Sequence, residues 1–308
     1  MTATLAPTLE GIATEATLSE LMEGLGRQAE KDLAGHDSQI RNVLKHFPAL
    51  AAIVRREIAN LGVSRPFDAI QQMVPNAYPA SYRLRDIAEQ AIQLGQLLDL
   101  PVEGTLAFIE NRLAADVSIG AEGKFAVPWH QHLSGTFFNR FRDPRSRYCA
   151  VVRHLVEILG KKRGLEIDPD MTITPDQIFI APETAEALDA VADDQEGNPI
   201  LVIDGQFGRQ HGGDSAKGSI ARFMENEFHL DLVCVTATLL THPERLVNGR
   251  NLTVGCGGNQ IVTDGNGPRR TVCFSYLKRE KTLSLELCLF GGGSGQSGWA
   301  TGFKPEMV

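Results

Sequence analysis

Along the first half of the chain, apolar positions recur at steps of three and four, the spacing that puts them on one face of an α-helix. Thr17 with Glu20 forms a capping-box pattern ahead of Leu18, Leu21, Met22 and Leu25. After Phe47-Pro48 a second stripe runs Leu50, Ile53, Val54, Ile58 and Leu61, stopped by Gly62. A third carries Leu84, Ile87, Ala91, Leu94 and Leu98, and Pro101 opens a fourth with Leu106, Ile109 and Leu113. Asp143-Pro144, a cap residue followed by proline at the first helical position, begins a helix whose apolar face is Tyr148, Val151, Val152, Leu155, Val156 and Leu159. It ends at Gly160, with Lys161, Lys162 and Arg163 where the helix dipole favours cations.

After Gly164 the pattern changes. Ile178 to Ile180 and Ile200 to Ile203 are short apolar runs bounded by Pro, Gly and Asp, as buried strands are, with an acidic helix predicted between them over 182–194. A helix is predicted from Ser215 to Phe228, and the β-branched run Leu232 to Leu240 reads as a buried strand. Val272, Phe274 and Tyr276, then Leu283, Leu285, Leu287 and Leu289, alternate as strand residues do, so 253–290 reads as a three-stranded antiparallel meander. The Gly-rich stretch from Gly291 to Gly298, followed by Trp299 and Phe303, reads as a flexible tail or a binding loop.

The fold expected is α+β or mixed α/β: a mobile tail over 1–16, a mostly helical domain over 17–164, and a mixed domain over 165–308 whose sheet ends in the meander. No run approaches the length of a membrane span and no basic region precedes an apolar block at the N-terminus, so the expectation is a soluble, cytoplasmic protein without a membrane partner. The five cysteines (Cys149, Cys234, Cys256, Cys273, Cys288) are odd in number, widely spaced and set mostly in apolar runs, which predicts buried thiols in a reducing compartment. No C-x-x-C occurs, which argues against a structural zinc site.

Charge changes the picture locally. The chain carries −8, yet the segment from Lys124 to Arg163 holds nine Lys or Arg against two acids, Asp143 and Glu157. Six aromatics share that segment (Phe125, Trp129, Phe137, Phe138, Phe141, Tyr148). Guanidinium groups bind phosphates bidentately and aromatic faces stack on bases, so Arg140, Arg142, Arg145, Arg147 and Trp129 are candidates for contact with nucleic acid or a phosphorylated ligand. The competing reading puts the aromatics in the core and pairs the cations with the acidic run Glu183 to Glu196, within the chain or in another copy of it.

The string Asp204 to Ser219 leaves an apolar run rich in glycine and enters a predicted helix, as anion-binding loops do, with Arg209 and Lys217 as its cations. It does not match the phosphate-binding loop, since Lys217 lies between Ala216 and Gly218, nor the dinucleotide fingerprint, since Gly205, Gly208, Gly212 and Gly213 do not supply G-x-G-x-x-G. A hydrolase or transferase would draw on His211, His242, Asp204 and Ser215, although no G-x-S-x-G occurs at any of the serines near glycines, Ser215, Ser294 or Ser297. His130 and His132, two residues apart, fall on one face of an extended strand and offer two metal ligands; a third is not visible nearby, and His211, His242 or a carboxylate would have to complete the set in space. No cofactor follows from the sequence, and it leaves open whether the protein is an enzyme, an accessory binding protein or a self-assembling one.

Overall fold

The computed structural model describes residues 78–113, 116–133, 140–262, 269–292 and 297–305. The tail predicted at 1–16 and the helices predicted from Thr17 to Leu61 lie outside these residues. The architecture is α+β, two sheets with helices packed between and beside them. Its helices are α1 (Ile87–Leu98), α2 (Glu103–Asn111), α3 (Pro144–Arg163), α4 (Pro182–Asp194), α5 (Ala216–Ile220) and α6 (Leu232–Thr241). Its strands are β1 (Gly123–Pro128), β2 (Leu165–Ile167), β3 (Ile178–Ile180), β4 (Ile200–Phe207), β5 (Glu227–His229), β6 (Val254–Ile261), β7 (Arg270–Leu277), β8 (Thr282–Leu289) and β9 (Ala300–Phe303). No described helix is long and apolar enough to cross a membrane.

The first sheet has the order β1-β4-β9-β5, antiparallel throughout, with Gly123 opposite Gly205 and His229 opposite Thr301. Two side-chain amides finish its ladder. The Gln90 amide takes the N–H of Ala126 and donates to the carbonyl of Lys124 along the outer edge of β1, and the buried Gln195 amide does the same for both backbone groups of Val202, where β9 no longer covers β4. Polar side chains thereby take over where strands run out. The second sheet has the order β2-β8-β7-β6-β3, with β2 parallel to β8 and the other pairs antiparallel, so the predicted meander is present as β6, β7 and β8.

Helix α6 lies in the middle of this arrangement and all ten of its residues are buried. Leu232 to Leu240 is therefore a helix, correcting the strand expected there. A helix covered on every side has no polar face, and so no helical periodicity to read. Its threonines hide their hydroxyls by donating to carbonyls one turn back, Thr236 to Leu232 at 2.6 Å and Thr238 to Cys234 at 3.1 Å. The helix predicted over 215–228 also shortens to the five residues of α5, followed by β5.

One hydrophobic core includes residues from both sides of Gly164, and β1 pairs with β4 across that position. No boundary falls at Gly164 among the described residues, which lie in one compact unit. The end of the chain is structural as well: β9 fills the centre of the first sheet, and Trp299 lies against Gly255 of the second. Cys273 and Cys288 form a disulfide, a correction to the expectation of thiols throughout, whereas Cys149, Cys234 and Cys256 are free and buried. Thr271 faces Cys288 and Cys273 faces Glu286, so the two sulfurs share one face of the hairpin on a diagonal that spacing in the chain does not reveal. The disulfide removes the cysteine argument for a reducing compartment.

Gly255 is where the sheets meet, and a Cβ there would sit 2.2 Å from a ring carbon of Trp299. The indole is held by donating to the carbonyl of Asp214 at 2.8 Å, so it has little room to retreat. Gly255→Ala is expected to cost about 1–3 kcal/mol by overpacking. A urea midpoint that falls while the slope stays constant checks this; an unchanged midpoint would show that the indole moves freely.

Candidate functional site

The glycine-rich string leaves β4 through Gly208, whose φ of +108° and approach to the Gly298 backbone exclude a side chain. Gln206 secures the turn by accepting from the amides of Gly208 and Gln210 while donating to the carbonyl of Trp299 and the hydroxyl of Thr301. Ser215 accepts from the amide of Gly218 at 2.9 Å and caps α5.

Behind this loop lies a closed cluster of ionisable side chains. His211, with no exposed surface, contacts Glu227 Oε1 through Nε2 at 2.6 Å, and its Nδ1 lies 3.8 Å from Asp214. One terminal nitrogen of Arg222 donates to both Asp214 oxygens at 2.8 Å, and the Thr301 hydroxyl donates to Glu227 at 2.6 Å. Ser219 Oγ sits 2.8 Å from His229 Nε2, a nucleophile-and-base distance. Ser219 also donates its single proton to the Ala216 carbonyl at 2.8 Å, so the imidazole is the donor in the other contact. Burial brings the His229 pKa down to about 3, and Ser219 is fully buried, so the pair braces α5 against β5 as a neutral, closed contact.

The other catalytic candidates do not converge. Asp204 accepts from the amide and hydroxyl of Ser118 and pairs with Lys124 at 2.8 Å. His242 accepts from the Arg85 amide through Nε2 and contacts the Thr241 hydroxyl through Nδ1, with burial holding its pKa down to about 4. Ser215, His242 and Asp204 bond to other groups rather than to one another, so they do not form a nucleophile–base–acid triad. His130 is buried against the rings of Trp129 and Tyr148, and burial and the Arg147 charge bring its pKa to about 3. Among the described residues no group of three His, Cys, Asp or Glu converges around it or His132, or anywhere else.

The basic aromatic segment divides in two. Phe125, Trp129 and Tyr148 are core residues, and the Trp129 indole donates to Asp189 of the acidic helix, which removes them as stacking platforms. Phe137 and Phe138 lie outside the described residues. The cations instead reach solvent: Arg140, Arg142 and Arg145 are exposed around the start of α3. Arg140 lies over Phe141 at 5.0 Å and Arg145 over Phe179 at 5.3 Å. Arg147 is anchored to the carbonyls of Phe141 and Gln131. The one acid among them, Asp143, accepts from the Ser146 amide at 2.7 Å as the cap of α3, and that bond holds its carboxyl below the usual range. Asp194 and Glu196, at the end of the acidic run, meet Arg112 rather than this segment. Arg209 and Lys217 are exposed on the glycine-rich string.

Sequence reasoning passed over Ser219, Arg222, Glu227 and His229, because a single helix was expected from 215 to 228 and only the turn into β5 brings them under His211. The chain matches no protein-family model, no curated protein and no solved structure.

The buried His211–Glu227 pair carries a pH signature. Burial alone would lower the His211 pKa, but the carboxylates of Asp214 and Glu227 outweigh it and raise the value above 6.5. Burial would raise the Glu227 pKa, and the His211 contact reverses this. The histidine's contribution to stability is thus full below pH 6.5 and is lost as pH rises through its raised folded-state value. The glutamate's is present above 4.5 and is lost as pH falls through its lowered one. His211→Gln leaves Glu227 buried without its cation and is expected to cost about 3–5 kcal/mol near neutral pH. Denaturant midpoints across pH should also lose their alkaline decline in this variant; a decline that persists unchanged would assign it to another group.

Proposed function

We propose that the protein binds the phosphates of a single-stranded nucleic acid through Arg140, Arg142, Arg145 and Arg147, as an accessory binding protein rather than through catalysis. The observation that carries this reading is the exposure of three of these arginines at one helix end, where the only interspersed acid is turned into a helix cap. Rings beneath Arg140 and Arg145 favour fixed orientations of the guanidinium planes, which suits bidentate contact with phosphate oxygens. With Trp129 and Tyr148 in the core, recognition rests on the backbone of the ligand and is independent of base sequence. A small phosphorylated ligand would use the same fork geometry.

Fluorescence anisotropy of a labelled single-stranded oligonucleotide over a range of salt concentrations tests this. Each phosphate contact on a single strand contributes a slope of roughly −0.7 in log K against log salt, so four arginines predict a slope of about −3. Replacing all four by Ala should flatten it. Affinity that ignores salt, or survives the replacement, would rule the reading out; binding of pyrophosphate without binding of the oligonucleotide would restrict it to small phosphorylated ligands.

A further inference from the structure

A second cationic feature lies elsewhere, where α5 meets the end of β8. Lys217, Ile220, Arg269, Leu289, Phe290, Gly291 and Gly292 line an open cleft of about 660 Å³. The backbone of Phe290 brings its walls together. Its carbonyl accepts from the Lys217 amide and its amide donates to the Arg269 carbonyl, each at 2.9 Å, so two cation-bearing segments flank one aromatic residue. The Arg269 guanidinium lies over the Phe290 ring at 3.9 Å. Ile220, one turn beyond Lys217, and Leu289 are 47% and 50% exposed, more than most large apolar side chains among the described residues. At Gly291 nothing lies within 4 Å of where a side chain would begin, which leaves the cleft open on that side.

Among the described residues, the lining thus combines an apolar floor, two cations and no acid. An inorganic anion would leave the aliphatic surface unused, and a neutral apolar molecule would leave both cations unused. The volume falls within the range of small-molecule sites, mostly apolar with a few polar groups that set orientation. We propose that this cleft binds a free anionic amphiphile of the fatty-carboxylate kind, its head between Lys217 and Arg269 and its chain along Ile220, Leu289 and Phe290.

The test is a calorimetric titration of the full chain with dodecanoate below its aggregation concentration, with dodecyl maltoside as the neutral analogue. One saturable site per chain is expected for dodecanoate and none for the maltoside. Changing Lys217→Gln and Arg269→Gln together should weaken binding at least about tenfold, or roughly 1.4 kcal/mol. Leu289→Glu, which places a negative charge against the chain, should abolish it; a thermal midpoint kept by both variants shows that they fold. Equal affinity for the maltoside, or undiminished binding by the Lys217 and Arg269 double variant, would overturn the proposal. So would capture on phosphatidylglycerol vesicles without binding of free dodecanoate, which would make the cleft a membrane contact. The variant with Ala at 140, 142, 145 and 147 should bind dodecanoate normally, and a matching loss there would place the carboxylate on the arginine surface instead.

Discussion

A helix buried on every side dominates this fold. Nothing around α6 can be left as solvent, so α3 and both sheets must close over it, and its polar groups must be satisfied inside the protein. The first amides of a helix have no partners within it. Here Asp231 accepts from the Cys234 amide, and Asn259 of β6 accepts from Leu232 at 2.6 Å while donating to the Tyr148 hydroxyl of α3 at the same distance. One amide side chain thus ties the start of α6 to a strand and to a second helix. Asp231 itself has no exposed surface, and burial raises its carboxyl above the usual pKa.

Legibility in the sequence follows solvent exposure. Helices α3 and α4 each keep a wet side and their apolar spacing is readable, as is the cap of α3, while strands β7 and β8 carry a period-two apolar alternation. Helix α6 has none, and its apolar, β-branched run imitates a strand. Strands β1 and β9 are hidden for a different reason. Gly123 to Pro128 borrows its edge partner from the side chain of Gln90, and Ala300 to Phe303 follows a glycine-rich stretch whose composition argues for flexibility until β4 and β5 accept it from either side. Such strands are specified by distant partners, which local propensity does not record. The Cys273–Cys288 pairing has the same origin, since only the β7–β8 register brings the two residues onto one face.

The same distinction separates the candidate chemistry. His211, His242, Asp204 and Ser215 are residue types that catalysts use, yet each is consumed by a bond that holds the backbone or a buried ion pair. Buried polar groups must find partners whatever else they do, so a histidine or serine in an apolar run is first a debtor to the fold. The glycines around His211 are legible and their role is not: they bring the loop close to Gly298 and seat Asp214, whose backbone carbonyl holds Trp299 against Gly255. The candidates that stay exposed, Arg140, Arg142, Arg145, Arg209 and Lys217, are cations, and the arginines of the 124–163 segment stand out in the amino-acid sequence as a charge excess.

Local cations on an acidic chain raise a question of range. At 0.1 M salt the screening length is about 10 Å, so acids farther than that from a bound phosphate scarcely repel it, whereas a guanidinium in contact is hardly screened. The net charge of −8 therefore does not forbid a polyanion from settling on Arg140 to Arg147. It does oppose approach at low salt, where the remote carboxylates act together, and it confines attraction to the surface where the cations are concentrated. On the proposed reading, ligands short enough to remain on such a patch should bind better than long duplexes that would also lie against the acidic remainder.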